Sequence, residues 1–476
     1  MTLADLLQPD RGQPARAIRV VSPAQWARWL DAQPPRAKAT VAAHGLTGKA
    51  GERAILPGPK NDADGEDWSA LLVCDEPPRS PWRIASMGTF LPPGTYRLAD
   101  GEPGAAALGW ILGQYGFDRY RQRDADSRVL LTGEAGLAET VRLAQATALV
   151  RDLVNTPASD CGPAELEAAA QSLAQQHGAS LTVIRGEALQ AGFPMIHAVG
   201  RAATEGRHPR LIELEWGDSA HPRIAIIGKG VTFDTGGLDI KPAAGMKLMK
   251  KDMGGAAHAL ALAGLVMAAG LPVRLHLLIP AVENAISADA MRPGDVMVSR
   301  AGLTVENTNT DAEGRLILAD ALTKAGESTP ELILDYATLT GAARVALGPD
   351  LPPLFTDDDA LAESLLAAGT ALGDPLWRMP LWDGYDAELK SDIADLINAP
   401  EGGMAGAVTA ALFLRRFVAD GTAWAHMDVF AWRPAAKPGR PKGGDAFGLR
   451  AAYHMLKERY QPSPYGRGTG EQSEPG

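Results

Sequence analysis

The 476-residue sequence contains only two cysteines, which excludes a disulfide scaffold or a cysteine-rich zinc site and is typical of a reducing compartment. Basic residues are outnumbered: 46 Lys and Arg against 57 Asp and Glu give a formal charge of −11, which counts against generic nucleic-acid binding. Aromatic residues are scattered and are not interleaved with basic ones. No run of eighteen apolar residues occurs, so we expect no transmembrane helix.

At 476 residues the chain is too long for one hydrophobic core and indicates two or three domains. The first eleven residues contain acidic side chains and no apolar stretch, so we read no signal peptide there and expect a cytoplasmic protein. We expect an N-terminal domain over residues 1–135, a connecting helix over 136–158 and a larger domain over 159–460. Residues 461–476 are rich in Pro, Gly and polar side chains and predict a disordered tail.

Apolar strands that alternate with helices predict an α/β fold. A long helix would join the smaller N-terminal α/β domain to a larger domain with a central, mostly parallel sheet flanked by helices. This helix is predicted over 136–154 because Ala, Leu and Val recur at helical spacing there and Pro157 disfavours continuation. In the first domain we predict a helix over 106–120 and strands over 53–56, 70–74 and 129–131. In the larger domain we predict a helix over 254–269 and strands over 180–184, 211–215, 224–227, 273–280, 332–336 and 422–430.

The heptapeptide at residues 309–315 reads NTDAEGR and directly precedes an apolar helical run. If the segment were extended, Asp311, Glu313 and Arg315 would share one face, because residues two apart point to the same side. Two carboxylates held that close repel each other unless protons or cations intervene. Arg315 could neutralise one carboxylate, and a divalent metal could neutralise both. The alternative is an ordinary surface ion pair at a helix start.

Further charged residues follow the strand predicted over 224–227, where residues 228–237 read GKGVTFDTGG. Loops at the strand ends of open α/β sheets commonly carry ligand sites. The phosphate-loop pattern that ends in Lys-Ser or Lys-Thr is absent. Histidine is absent from this region, and we interpret His258, on a predicted apolar helix, as a hydrogen-bonded core residue. The candidate set is Lys229, Asp234, Asp252, Asp311 and Glu313, with Lys241 and Arg315 beside it.

With these residues in place, the sequence resembles the leucyl aminopeptidase (cytosol aminopeptidase) family of two-metal exopeptidases. Residues 309–316 match that family's signature, and the spacings from Lys229 to Asp234, Lys241 and Asp252 agree with its pattern. The resemblance covers residues 149–460. It implies a metal-dependent hydrolase that removes the first residue from peptides, with preference for apolar first residues such as leucine.

The resemblance also implies how two divalent ions per subunit are held. One ion would be bound by Asp234, Asp311 and Glu313, and the other by Lys229, Asp234, Asp252 and Glu313. Carboxylates suit hard divalent ions, and a lysine ligates only as the neutral amine. Zinc fits the family best, and manganese suits the oxygen-rich set. In the family such a pair of ions generates a hydroxide that attacks the peptide carbonyl.

Catalytic and substrate-binding roles follow from the same resemblance. Lys241 would stabilise the developing oxyanion, and Arg315 would anchor a bicarbonate that carries protons. Two segments, 426–432 and 444–448, differ from the family pattern near the expected pocket rim, which puts the leucine preference in doubt. The substrate-binding residues carried over from the family are Met249, Asn309, Thr338 and Gly341.

For assembly, the resemblance implies a homo-hexamer, to which the apolar stretch 407–417 could contribute contacts. We expect peptides with a free N-terminus as partners, and neither a membrane nor nucleic acid. Two other functions stay open: a DNA-binding or regulatory role, as some family members have, and two-metal hydrolysis of phosphate esters. The acidic composition counts against the first, and the missing phosphate loop counts against the second.

Overall fold

The structure is a computed structural model that describes residues 2–58, 68–122 and 126–461. Apart from Gln461, the tail predicted to be disordered lies outside the described residues. The chain forms two compact units, and the second comprises Thr156–Thr370, Asp374–Ala431 and Phe447–Gly476. The first comprises Met1–Asn155, Ala371–Gly373 and Trp432–Ala446. The segment 432–446 thus packs with the N-terminal residues, a return of the chain that a linear division of the sequence does not include.

The first unit is built on a six-stranded sheet in which neighbouring strands are parallel except for β3 and β4. Its spatial order is β1-β6-β5-β2-β4-β3. Buried aromatic residues lie against it, with the rings of Tyr96 and Trp110 5.8 Å apart. The strands are β1 Leu7–Pro9, β2 Arg16–Val21, β3 Arg53–Pro57, β4 Trp68–Val73, β5 Gly94–Leu98 and β6 Arg128–Thr132.

Five helices accompany this sheet in the described residues: α1 Trp26–Asp31, α2 Pro35–Ala43, α3 Met87–Phe90, α4 Ala106–Gln114 and α5 Leu137–Asn155. The long helix predicted before Pro157 is confirmed as α5. The helix predicted over 106–120 is too long, because Tyr115 leaves the helical region with ψ 138°. The hydroxyl of Tyr115 instead donates to Asp152 at 2.5 Å.

A nine-stranded sheet forms the centre of the second unit. Its middle strands β18, β14, β9 and β11 are mutually parallel, whereas β8 pairs antiparallel with β11 and β7, and β15 pairs antiparallel with β18 but parallel with β16. The sheet is therefore parallel at its core and mixed at its edges. The strands are β7 Ser180–Arg185, β8 Arg210–Trp216, β9 Arg223–Gly228, β10 Gly230–Asp234, β11 Arg274–Asn284, β14 Leu332–Ala337, β15 Pro353–Phe355, β16 Trp377–Arg378 and β18 Ala423–Asp428. Shorter strands pair elsewhere: β12 Val296–Val298, β13 Thr304–Glu306, β17 Leu396–Ile397, and, in the first unit, β19 Trp432–Arg433 and β20 Gly443–Gly444.

The register of the parallel strands brings their carboxyl ends together. Tyr336 of β14 lies opposite Gly228 of β9, and Ala337 lies opposite Asp428 of β18. The loops that leave these strands therefore begin side by side, where α/β sheets commonly place their ligand sites.

Helices cover the sheet of the second unit, and α10 packs especially close to it. A Cβ atom on Gly255 of this helix would lie 2.2 Å from the carbonyl oxygen of Tyr336, so only glycine allows this approach. The helices are α6 Pro163–His177, α7 Gly186–Gly192, α8 Pro194–Gly200, α9 Ala243–Met246, α10 Gly254–Ala268, α11 Glu313–Gly326, α12 Gly341–Leu347, α13 Asp359–Leu372, α14 Gly406–Arg415 and α15 Leu449–Tyr460.

The apolar stretch 407–417 forms most of α14, and the structure contradicts its use as an assembly surface. Leu412, Phe413 and Leu414 are fully buried in the core of their own subunit, so their side chains cannot face another copy. In the part of the chain that the structure describes, no helix combines the length and the apolar character needed to cross a membrane.

Candidate metal centre

Lys229 directly follows β9 and extends into a group of buried carboxylates. Its Nζ atom lies 2.6 Å from Oδ2 of Asp252 and 2.9 Å from Oε1 of Glu313. It also donates to the carbonyl oxygen of Thr338 at 3.2 Å. Burial alone would lower the pKa of Lys229, but the charges of the surrounding carboxylates raise it above the ordinary value. Lys229 is therefore a counter-ion of the buried carboxylates Asp252 and Glu313.

Gly314 provides the space that the Lys229 side chain occupies. A Cβ atom at Gly314 would lie 2.6 Å from Cε and 2.7 Å from Nζ of Lys229. Real Cβ contacts essentially never come this close, so a larger residue would displace the lysine. This gives a steric reason for the glycine inside the heptapeptide.

Lys241, in the loop after β10, binds the other side of the cluster. Its Nζ atom lies 2.7 Å from Oδ2 of Asp234 and also contacts Oδ1 of Asp311. Burial opposes the charged form, but Asp234 and Glu313 hold the pKa of Lys241 above its ordinary value. The two lysines thus contact four different carboxylates between them.

Three of the carboxylates are grouped tightly enough to share a cation. Asp234, Asp252 and Glu313 are all buried, and one oxygen from each lies within 4.8 Å of the others. Asp311 is more exposed than these three and is joined to the group through Lys241. The structure therefore brings together all five residues that the sequence predicts as ligands.

Electrostatics shows that this cluster holds more negative charge than its environment stabilises. Burial and the nearby charge of Asp234 raise the pKa of Glu313 to about 8 and that of Asp311 to about 6. Burial acts the same way on Asp252, but Lys229 and Lys251 outweigh it and hold its pKa below the ordinary value. Oxygen Oε2 of Glu313 is buried without a hydrogen-bond partner. Buried polar atoms are normally satisfied, so carboxylates with an unpartnered oxygen fit a site for hard divalent ions.

The heptapeptide is not extended, so its side chains do not converge by strand alternation. Residues 310 and 311 form a turn, and Glu313 is the first residue of α11. Asn309 fixes this turn because its side-chain oxygen accepts the N–H of Asp311 at 2.8 Å. The bend places Glu313 beside Lys229 while Asp311 meets Lys241.

Arg315 is buried, and no carboxylate lies within ion-pair distance of it among the described residues. Its Nη1 donates to the carbonyl oxygen of Asn398 at 2.6 Å, and its Nε has no hydrogen-bond partner. Burial lowers the pKa of Arg315 to about 10, although the charges of Glu313 and Asp428 act against this shift. Arg315 does not neutralise Asp311 or Glu313 directly, contrary to one of the options that the sequence left open.

The predicted substrate-binding residues differ in their surroundings. Met249 is buried in a single helical turn, Met249–Lys251, and Gly341 is the exposed first residue of α12. The Thr338 hydroxyl donates to Oδ1 of Asp252 at 2.9 Å, so this side chain supports a predicted ligand. His258 is a core residue as predicted: it stacks on Tyr336, and its Nε2 accepts the N–H of Phe447 at 3.0 Å.

Asn284 is one of two buried asparagines that organise the centre and that the sequence analysis did not find. It lies at the end of β11 and donates to Oδ1 of Asp234 at 2.9 Å and to the carbonyl oxygen of Thr310 at 3.1 Å. It thereby joins a predicted ligand to the heptapeptide. Nothing in the single sequence marks an asparagine at a strand end for this role.

Asn398 is the second buried asparagine that organises the centre. Its side-chain oxygen accepts the N–H groups of Thr308 and Asn309, and its amide donates to Asn307 and to the carbonyl oxygen of Asn309. The backbone oxygen of the same residue receives Arg315. One fully buried residue thus holds both the entry to the heptapeptide and its final arginine.

The chain is similar to known proteins over most of its length. Residues 148–453 match the family model described as "Cytosol aminopeptidase family, catalytic domain", and residues 17–132 match "M17 aminopeptidase, N-terminal domain". A protein named probable cytosol aminopeptidase from Syntrophotalea carbinolica is 42% identical over 370 residues, which span 74% of each chain.

Two solved structures share the fold. The crystal structure of cytosol aminopeptidase from Coxiella burnetii has a TM-score of 0.91 and 46% identity, and the match covers 96% of this chain and 100% of that one. The bottromycin maturation enzyme BotP in complex with Mn has a TM-score of 0.83 and 33% identity, with 94% and 100% covered.

Proposed function

This chain belongs to the cytosol aminopeptidase family and is a peptidase. We propose that it binds two divalent ions and uses them to remove the N-terminal residue from peptides. The observation that carries the proposal is the group formed by Asp234, Asp252 and Glu313, buried together with an unpartnered Glu313 oxygen. Such a group fits hard divalent ions better than any arrangement of protons.

We assign the ligands as the family resemblance implies. Asp234, Asp311 and Glu313 would hold one ion, and Lys229 with Asp252 would complete the second site, which shares Asp234 and Glu313. When bound, two such ions lower the pKa of a water molecule and polarise the peptide carbonyl. Either zinc or manganese suits the donor set, and the solved structure of BotP is in complex with Mn.

Lys229 has to change partners for this assignment to hold. In the structure it is a cation paired with Asp252 and Glu313. To ligate, it must give up its proton and become a neutral amine, so ion binding releases a proton from this residue. Lys229 would thus be the counter-ion of the metal-free centre and a ligand of the loaded one.

Lys241 has the opposite task. Its two carboxylate partners, Asp234 and Asp311, are both proposed ligands. Once these oxygens are committed elsewhere, the Lys241 ammonium can turn toward substrate and stabilise negative charge on the carbonyl oxygen. It has to stay protonated to do so.

Arg315 offers the site for a small anion. Its buried Nε atom lacks a partner while Nη1 is held by Asn398. We assign a bicarbonate to this guanidinium, as the family resemblance implies, with the task of carrying the proton between the attacking water and the leaving amine. A planar guanidinium is well matched to a planar oxyanion.

The substrate would enter with its free α-amine at the ions, which is why an internal peptide bond would not be cleaved. Met249, Asn309, Thr338 and Gly341 are the proposed substrate-binding residues, with Met249 as an adaptable apolar wall for side chains such as leucine. We further propose a cytoplasmic homo-hexamer. No observation favours nucleic acid as a partner.

A survey of amino-acid anilides tests this proposal. The Mn²⁺-loaded protein should hydrolyse leucyl and methionyl anilides and leave the matching N-acetylated compounds intact. Equal rates of hydrolysis of the free and the acetylated substrates would show that cleavage does not require a free N-terminus and that the protein is not an exopeptidase. Hydrolysis of aryl phosphates but not anilides would favour phosphate-ester chemistry instead.

A further inference from the structure

Lys251 lies next to a proposed ligand, and neither the sequence analysis nor the proposed function gives it a role. It ends the turn Met249–Lys251, and its side chain is 1% exposed. Its Nζ atom lies 2.8 Å from Oδ1 of Asp252 and donates a hydrogen bond to it. A lysine buried this completely is uncommon and is normally paired.

The two oxygens of Asp252 have different environments because of Lys251. Oδ1 accepts hydrogen bonds from Lys251 and from the Thr338 hydroxyl. Oδ2 points to Lys229, 2.6 Å away, on the side where Glu313 lies. Because Lys251 and Thr338 already contact Oδ1, Oδ2 is the oxygen that remains open to an ion.

Among the described residues, Asp252 is the only carboxylate within ion-pair distance of Lys251. An aromatic ring and a second cation also lie near Lys251. Its Nζ atom is 5.8 Å from the centre of the Phe430 ring, and the Arg344 guanidinium lies 4.5 Å from the same ring. Two lysines, Lys229 and Lys251, therefore share the single charge of Asp252.

These two lysines differ in what an arriving ion does to them. Lys229 occupies the place of a ligand and can lose its proton to the ion, as the proposed function requires. Lys251 contacts the other oxygen of Asp252, Oδ1, and keeps this contact and its positive charge when the ion binds. A fixed cation that holds a metal ligand in a medium of low dielectric weakens that ligand's attraction for a divalent ion.

We propose that Lys251 is a positioning residue that makes Asp252 a one-oxygen ligand, neutralises it in the metal-free centre and lowers the affinity for the ion that Asp252 binds. This inference rests on the proposed two-ion centre. It predicts that the ion held by Asp252 binds more weakly than it would without Lys251, and that the metal-free protein stays folded.

The test compares Lys251→Met and Lys251→Gln with the wild-type protein in the full-length chain. Lys247→Met, on the exposed side of the same segment, is the matched control. Mn²⁺ alone is titrated into metal-free protein by calorimetry. Both Lys251 variants should bind one of the two ions about tenfold more tightly, the scale on which outer partners of metal ligands act, while the second ion and the control are unchanged.

Stability provides a second readout that a general packing defect would not reproduce. Thermal midpoints of the metal-free Lys251 variants should fall, because Asp252 loses its counter-ion, whereas saturation with Mn²⁺ should restore the wild-type midpoint. If a metal-free variant does not fold, the Mn²⁺-loaded form is mixed with excess chelator, and release of one ion should be slower than in the wild-type protein.

Each result of these measurements either supports or overturns the proposed role of Lys251. Unchanged or weaker binding in both variants overturns the proposal. Weaker binding in Lys251→Met with wild-type binding in Lys251→Gln overturns the counter-ion role, since glutamine keeps the hydrogen bond without the charge. Tighter binding in a protein that hydrolyses no anilide would uphold the role of Lys251 and reject the aminopeptidase function.

Discussion

The side chain of Asn398 holds Asn309 from both directions: its amide donates to the Asn309 carbonyl oxygen at 2.7 Å, and its oxygen accepts the Asn309 N–H at 3.2 Å. The two residues are 89 positions apart. Through this pair, a segment near the end of the second unit fixes the start of the heptapeptide that carries Asp311 and Glu313.

Asn398→Ala should therefore damage the centre without touching a ligand. It leaves buried amide and carbonyl groups unpaired, each at a cost of about 1–3 kcal/mol. We expect a lower thermal midpoint and a reduced turnover number together with weaker metal binding. A variant that keeps wild-type metal affinity and turnover would show that Asn398 does not position the heptapeptide.

Gly314→Ala should act on Lys229 specifically. The added Cβ would occupy the space of Cε and Nζ, and the flexible lysine is easier to displace than the helix. We expect weaker metal binding and a lower thermal midpoint of the metal-free protein, because Asp252 and Glu313 lose a counter-ion. The matched control is Gly245→Ala, where the nearest heavy atom would be 3.8 Å away; equal metal affinity in the two variants would contradict the steric account.

Substitutions of Lys229 and of Lys241 should have different effects, because the proposed role of Lys229 requires a neutral amine and that of Lys241 requires a protonated one. Lys229→Ala should weaken metal binding, and excess Zn²⁺ should recover part of the activity. Lys241→Ala should keep both ions and lose a factor of roughly 10²–10³ in turnover, as removal of one oxyanion donor typically does. Bound metal and turnover are followed together, and metal loss in Lys241→Ala would reverse the assigned roles.

Asp320 gives a pH dependence unrelated to metal binding. Burial raises its pKa to about 6, although it accepts the backbone N–H groups of Met195, Ile196 and Arg300. A carboxyl whose folded pKa is raised contributes most stability below its unfolded pKa, and this contribution is lost as pH rises through the folded value.

For a shift from 3.8 to about 6, the loss totals roughly 3 kcal/mol, of which about 2 kcal/mol falls between pH 4 and pH 7. Asp320→Asn has no charge to titrate, so the thermal midpoint of metal-free wild-type protein should fall relative to this variant across that range. A gap between the two midpoints that is constant with pH would show that Asp320 does not titrate there.

The sequence predicted the regular core of the fold and brought out the cluster of candidate ligands, for reasons that are visible in the chain. Helix α5 has an uninterrupted helical pattern that ends before Pro157, β9 contains the apolar run 224–227, and β14 is apolar except for Asp335. The candidate ligands were found because their spacing resembles a family pattern. By contrast, β2 is interrupted by Arg16 and Arg19 and β5 by Arg97, and neither strand was predicted.

What the sequence did not provide depends on contacts between distant residues. Asn284 acts on Asp234 across 50 positions, and Asn398 acts on Asn309 across 89. An isolated asparagine has no periodicity that would reveal such a contact. The stretch 407–417 was assigned to assembly because the sequence pattern of an apolar helix is the same whether the helix is buried by its own chain or by another subunit.

Metal dependence of the reaction on a free N-terminus tests the central claim most directly. The wild-type protein is treated exhaustively with chelator, its residual metal is quantified, and leucyl anilide hydrolysis is measured before and after addition of Mn²⁺ or Zn²⁺. We predict that activity disappears with the metal and returns with two ions per chain, while N-acetyl-leucyl anilide is never hydrolysed. Full turnover by a sample verified to be metal-free would contradict the account.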